Sequence, residues 1–120
     1  ILDQMFRDKS FLRARFNTED IYSRNVINFK LEIVKNLARY LSKIPRKEIV
    51  GIPRRVFSAI FLYALLRIIS RQYDGIQIYS SDIERFSGVS RFTILRKYKS
   101  IEKYLIDGES SVGEERVMLG

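Results

Sequence analysis

The stretch "GIPRRVFSAIFLYALLRIIS", residues 51–70, decides how this chain folds. Between Val56 and Ile69 only Ser58 and Arg67 interrupt an apolar run, and Arg54, Arg55 and Arg71 flank it. The run is about 14 residues long, short of the roughly 20 that a membrane span requires. It reads as a helix that begins at about Arg54, just after Pro53, and continues to Ser70. Val56, Ala59, Ile60, Tyr63, Ala64, Leu66 and Ile69 make it apolar on nearly every side, so the other helices are expected to surround it.

Those helices belong to one domain, because 120 residues are enough for one compact core and too few for two. The chain holds no cysteine and no histidine, which excludes disulfides, thiolate zinc sites, histidine metal ligands and histidine acid–base chemistry. Gly-rich phosphate loops and nucleophile elbows are absent too, and the acidic pairs Asp82/Glu84 and Glu114/Glu115 lack a catalytic framework. No enzyme, metal or cofactor is expected. A net charge of +8 makes a polyanion the expected partner, nucleic acid ahead of an anionic membrane surface. The chain opens on Ile1 with no signal-peptide pattern, and we expect a fragment or domain of a longer protein.

Helices account for almost the whole chain. Met5, Leu12 and Phe16 among charged neighbours predict a modestly amphipathic helix over residues 2–16. Asn17 and Thr18 mark a break and a new N-cap, with Glu19 and Asp20 in the first turn that follows. Ile27, Leu31, Val34, Leu37, Ala38 and Leu41 recur at three- and four-residue steps, predicting one core-facing stripe on a helix that ends near Ser42. Two prolines and Gly51 make residues 44–53 a loop. Residues 72–79, with Asp74 and Gly75, read as a turn and connector; Ile76, Ile78 and Tyr79 alternate like a strand that lacks a partner. A short helix over residues 81–87 carries Asp82 and Glu84 at its positive end, and a last helix runs from Ser90 to about Ile106. Residues 107–120 lose the apolar period and read as a flexible tail or linker.

The junction of the last two helices lies in "FSGVSRFTILRKYKSI", residues 86–101. Gly88 stands where a helix C-cap wants a residue that tolerates positive φ, and Ser90 offers an N-cap oxygen. One helix stops and another starts within about three residues. With Ile94, Tyr98, Ile101 and Leu105 turned inward, Phe92, Arg96, Lys99, Ser100 and Lys103 point outward. A solvated basic face would carry the same charges. Phe92 differs, because a large aromatic on an outer face is needless for folding and useful against a thymine methyl or a protein pocket. Tyr63 and Tyr98 fall on apolar faces and read as core anchors. Arg54, Arg55 and the loop "SKIPRK", residues 42–47, could meet phosphate or an acidic partner, or simply be solvated.

This pattern resembles one cyclin-type repeat of the general transcription factor B family, comprising archaeal transcription factor B and eukaryotic factor IIB, above all the C-terminal repeat. "GIPRRVFSAIFLYALL" from Gly51 is similar to the family's Gly, Pro, alanine run and Leu-Tyr entering its third helix. "IERFSGVSRFTILRKYKSI" from Ile83 is similar to its Gly-Val, Thr and Tyr-Lys closing helices. The resemblance covers about residues 4–106. It implies an all-α, five-helix cyclin-like bundle over residues 1–106 with a C-terminal helix-turn-helix, whose closing helices touch promoter DNA beside the TATA box. Ser58, Ala59, Ile60 and Phe61 stand where the family has four small residues. Phe92 and Leu95 stand at its base-reading positions, typically a valine and an arginine. Arginine supplies the commonest bidentate contact to guanine, worth about 1–3 kcal/mol of discrimination, so phosphate contacts are expected to dominate here.

The expected function is that of a transcription initiation or regulatory domain that binds duplex DNA through its backbone, or docks on the promoter–polymerase assembly. Ser90, Arg91, Phe92, Thr93, Arg96, Lys97, Lys99 and Lys103 are the candidate DNA contacts. The alternative is a cyclin-fold adaptor that binds only protein, such as RNA polymerase or TATA-binding protein, through Phe92 or the groove of the helix over residues 54–70, with Arg54 and Arg55 as further candidate contacts. Neither reading calls for a membrane or a small-molecule substrate. Both place the chain where transcription occurs, in the cytoplasm or nucleoid, or in a eukaryotic nucleus.

Overall fold

A computed structural model of the chain describes residues 1–73 and 76–119, with side chains described through Ile106. The described residues form seven helices and no strand: α1 (Leu2–Met5), α2 (Lys9–Phe16), α3 (Arg24–Leu41), α4 (Arg46–Ile49), α5 (Arg54–Ser70), α6 (Ser80–Ser87) and α7 (Arg91–Leu119). The class is all-α, as the periodicity predicts. The turn expected at Asp74–Gly75 and the side chains of the tail expected over residues 107–120 lie outside the described residues.

α5 is the centre of the molecule, with α3, α6 and α7 packed on it. Ala59, Ile60, Ala64, Leu65 and Leu66 are fully buried, and its exposed residues are Arg54 and Arg55 at the first turn. Arg55 lies beside Gly88, Tyr63 beside Tyr98 and Arg67 beside Glu102, so α5 and α7 run in the same direction. Parallel neighbours need a return path, and α6 with its preceding connector supplies it.

A second centre is aromatic. Phe29 of α3 meets Phe16 at 5.3 Å and Tyr73 at 5.2 Å, while Phe11 meets Phe86 of α6 at 5.7 Å, all edge to face. Two ion pairs fasten α2 to α6 beside it. Arg15 reaches Asp82 with two hydrogen bonds, Nε to Oδ2 at 2.8 Å and Nη2 to Oδ1 at 2.9 Å, and its guanidinium covers the Tyr79 ring at 4.5 Å. Arg85 Nη2 donates to Asp8 Oδ2 at 2.8 Å. The Asp82 hydrogen bond, outweighing partial burial, raises the Arg15 pKa. Asp82 also accepts from the Tyr79 backbone N–H at 2.9 Å, so its place in the first turn of α6 serves structure.

Five expectations change. The backbone of the last helix, expected to end near Ile106, stays helical to Leu119. The helix expected over residues 2–16 is two helices, because Asp8 caps α2 by accepting from the Phe11 N–H at 2.8 Å. The next helix starts at Arg24, not after Thr18. Asn17 closes α2 in the left-handed region, and Thr18 and Asp20 oxygens accept the N–H groups of Asp20 and Tyr22, a local alternative to helix. The loop over residues 44–53 contains the single turn α4.

The largest change concerns α3. Val26, Phe29, Ile33 and Tyr40 face the core, whereas Ile27, Leu31, Val34, Ala38 and Leu41 are exposed and Leu37 is half-buried. α3 carries two apolar rows, and one periodic row read alone cannot say which of the two meets the core.

Candidate nucleic-acid interface

Four of the backbone N–H groups from Gly88 to Phe92 are hydrogen-bonded at the α6–α7 junction. Gly88 has φ +75°, and its N–H donates to the Glu84 carbonyl at 2.8 Å. The Val89 N–H goes to Ser87 Oγ at 3.0 Å, the Arg91 N–H to Glu84 Oε2 at 2.8 Å and the Phe92 N–H to Ser90 Oγ at 3.2 Å. The three residues 88–90 thus form a fixed turn between two helices, with Ser90 as the N-cap of α7. A Cβ at Gly88 would stand 2.5 Å from Arg55 Nη2, so the α5 guanidinium occupies the space that glycine leaves open.

The roll of α7 is set from inside. Ile94, Tyr98, Ile101 and Leu105 are buried, and the Tyr63 and Tyr98 rings meet edge to face at 5.0 Å. Arg67 Nε donates to Glu102 Oε2 at 2.8 Å, and its guanidinium lies 5.0 Å from the Tyr98 ring centre. Burial lowers the Arg67 pKa, but the hydrogen bonds and charge around it, led by Glu102, outweigh burial and raise it. Glu102 is therefore turned inward and neutralises nothing on the outer face.

That outer face carries Phe92, 71% exposed, and Leu95, 42% exposed, one turn apart. Arg91, Arg96, Lys97, Lys99 and Lys103 are exposed, and none of them forms an ion pair among the described residues. The Arg91 guanidinium rests 5.3 Å from the Phe92 ring centre. Phe92, Arg96, Lys99 and Lys103 share one side of α7, as the 100° step predicts. Thr93, half-buried, and Lys97 lie on the neighbouring side; Thr93 and Ser90 edge a shallow concavity with Arg55 and Val56.

The structure separates two residues that adjoin in sequence. Arg55 stands at the turn, while Arg54 borders a different groove with Phe57 and Phe61. Arg54, Arg55 and Phe92 therefore do not make one patch. In turn, α4 brings Arg46 and Lys47 near the far part of α7, where the Tyr104 hydroxyl donates to Glu48 Oε1 at 3.0 Å. Within "SKIPRK" the sequence held these charges, but the single turn that places them rests on a contact 56 residues away.

Among the described residues no three acidic side chains gather as a metal site, and no helix is long and apolar enough to cross a membrane. Comparison of the chain with family models, curated proteins and solved structures finds no match.

Proposed function

We propose that this chain is a transcription-factor-B-like domain of the basal transcription apparatus that lays α7 on duplex DNA and holds it mainly by phosphate contacts. The observation that carries this reading is the row of cations on α7, without ion pairs among the described residues, presented beside a turn held by the bonded N–H groups of Gly88, Val89, Arg91 and Phe92. Helix-turn-helix proteins need both: a recognition helix held at a fixed angle and cations free to meet phosphates. With the two four-residue turns α1 and α4 set aside, five helices remain, four of them around a buried α5, which supports a cyclin-like bundle.

Neutralising about four phosphates gives a log–log salt slope near −3.6, so raising salt from about 50 to about 200 mM should weaken binding roughly a hundredfold. Titration of a labelled duplex at several salt concentrations checks this. Binding indifferent to salt would overturn the reading.

The adaptor reading draws on one observation, the exposed Phe92–Leu95 pair where an arginine would read guanine. If it holds, duplex binding is absent and Phe92→Ala abolishes capture of a transcription protein.

A further inference from the structure

α3 exposes an apolar row that the fold does not use. Ile27, Leu31, Val34 and Leu41 are 38%, 59%, 54% and 40% exposed, and they line one side of the helix over roughly 21 Å, at about 1.5 Å per residue. Scattered apolar residues are ordinary on a surface, but four large aliphatic side chains in a row form a patch of the kind that marks an interaction site. Beside Val34 and Leu41 the surface sinks into a groove of about 620 Å³ between α3 and α5. Phe57 and Phe61, stacked at 6.0 Å with planes 13° apart, line its α5 side, and Ile1 and Leu2 edge it as well.

The charges around this row are mostly positive. Arg24 and Lys35 flank it on one side of α3, and Lys30 and Arg54 on the other. Among the groove-lining residues Asp3 is the one acid, paired to Lys30 at 3.4 Å. Glu32 is turned away, where its Oε1 and its carbonyl accept from Asn36 Nδ2.

We infer that the outward face of α3 and the α3–α5 groove bind an acidic amphipathic helix of a protein partner. A row with helical spacing beside an aromatic-floored groove fits the leucine or isoleucine anchors of a helix, and the basic flanks fit aspartates and glutamates beside those anchors. A second copy of this chain is the poorer occupant, because it would set Arg24, Lys30 and Lys35 against their own kind in a protein of net charge +8. The inference stands on α3 and α5 and is independent of what α7 binds.

The test uses the whole chain and a labelled synthetic helix about four turns long, with leucines on one face and glutamates elsewhere, read by fluorescence anisotropy. A companion peptide has lysines in place of the glutamates. The glutamate helix should bind, and the lysine helix should bind at least about tenfold more weakly. The double variant Leu31→Ser/Val34→Ser should melt like the parent, since both side chains are exposed, and lose at least about tenfold in affinity. Arg96→Ala/Lys99→Ala should bind the peptide as the parent does. The inference is overturned if the serine variant binds unchanged, if the α7 variant loses as much, or if neither peptide binds. It also fails if the serine variant disperses a dimer in sedimentation, or if its main effect is release from phosphatidylserine vesicles.

Discussion

Arg96 and Lys99 project from α7 without acidic partners among the described residues, so each contributes charge and nothing to the core. Arg96→Ala and Lys99→Ala should each weaken duplex binding on every sequence alike and reduce the salt slope by about one unit, with the melting temperature unchanged. Phe92→Ala separates the two readings: against DNA it removes only an apolar contact, whereas in a protein pocket it costs about 2 kcal/mol or more. Leu95→Arg restores the side chain that the resemblance expects, and should create a preference of about 1–3 kcal/mol for sites offering a guanine there. Competition between guanine-bearing and guanine-free duplexes measures it, and equal competition would show that residue 95 does not reach the bases. Gly88 was readable in the sequence because a left-handed cap has few alternatives to glycine. Its substitution by alanine should cost about 1 kcal/mol in backbone strain, or about 3–6 °C in melting temperature, since the Arg55 guanidinium above it is the free end of a flexible side chain.

Between elements, charges at the packing surfaces set stability more than charges on the outside do. Arg67→Ala leaves Glu102 buried between α5 and α7 without its main partner and should cost about 2–3 kcal/mol, while Glu102→Gln should cost less; thermal melts of the two variants test the order. The tie between α4 and α7 has its own pH signature. The hydrogen bond to Glu48 raises the Tyr104 pKa, because the neutral hydroxyl is the donor. Its contribution is complete below the ordinary phenol value of about 10 and is lost as pH rises through the raised one. Tyr104→Phe should remove that alkaline component from a plot of stability against pH. The elements themselves were legible to different degrees. α5 was clear because an all-round apolar segment has one place to go, and the α6–α7 junction because glycine and serine punctuate it. The buried face of α3 was not, since its Ile27–Leu41 row has the same period as the Val26–Tyr40 row. What decides between them is Phe29 meeting Phe16 and Tyr73, a contact between segments far apart in the chain.

For the molecule as a whole, α5 is the part that tolerates least. Ala64 is fully buried on α5, against which α3, α6 and α7 pack, so Ala64→Arg should abolish the cooperative melt, and a variant melting within a degree or two of the parent would deny α5 its central place. The two ion pairs from α2 to α6 act differently, because they join residues 67 and 77 positions apart, whereas Arg67 and Glu102 are separated by 35. Closing the longer loops costs more chain entropy, and their contacts are expected to form after α5, α6 and α7 have come together. Arg15→Ala should therefore leave the refolding rate nearly unchanged and accelerate unfolding, by about tenfold for a loss of about 1.4 kcal/mol, as stopped-flow mixing into and out of denaturant would measure. In kinetic terms, the N-terminal helices are a latch: they determine how long the closed domain lasts and have little say in how quickly it is reached.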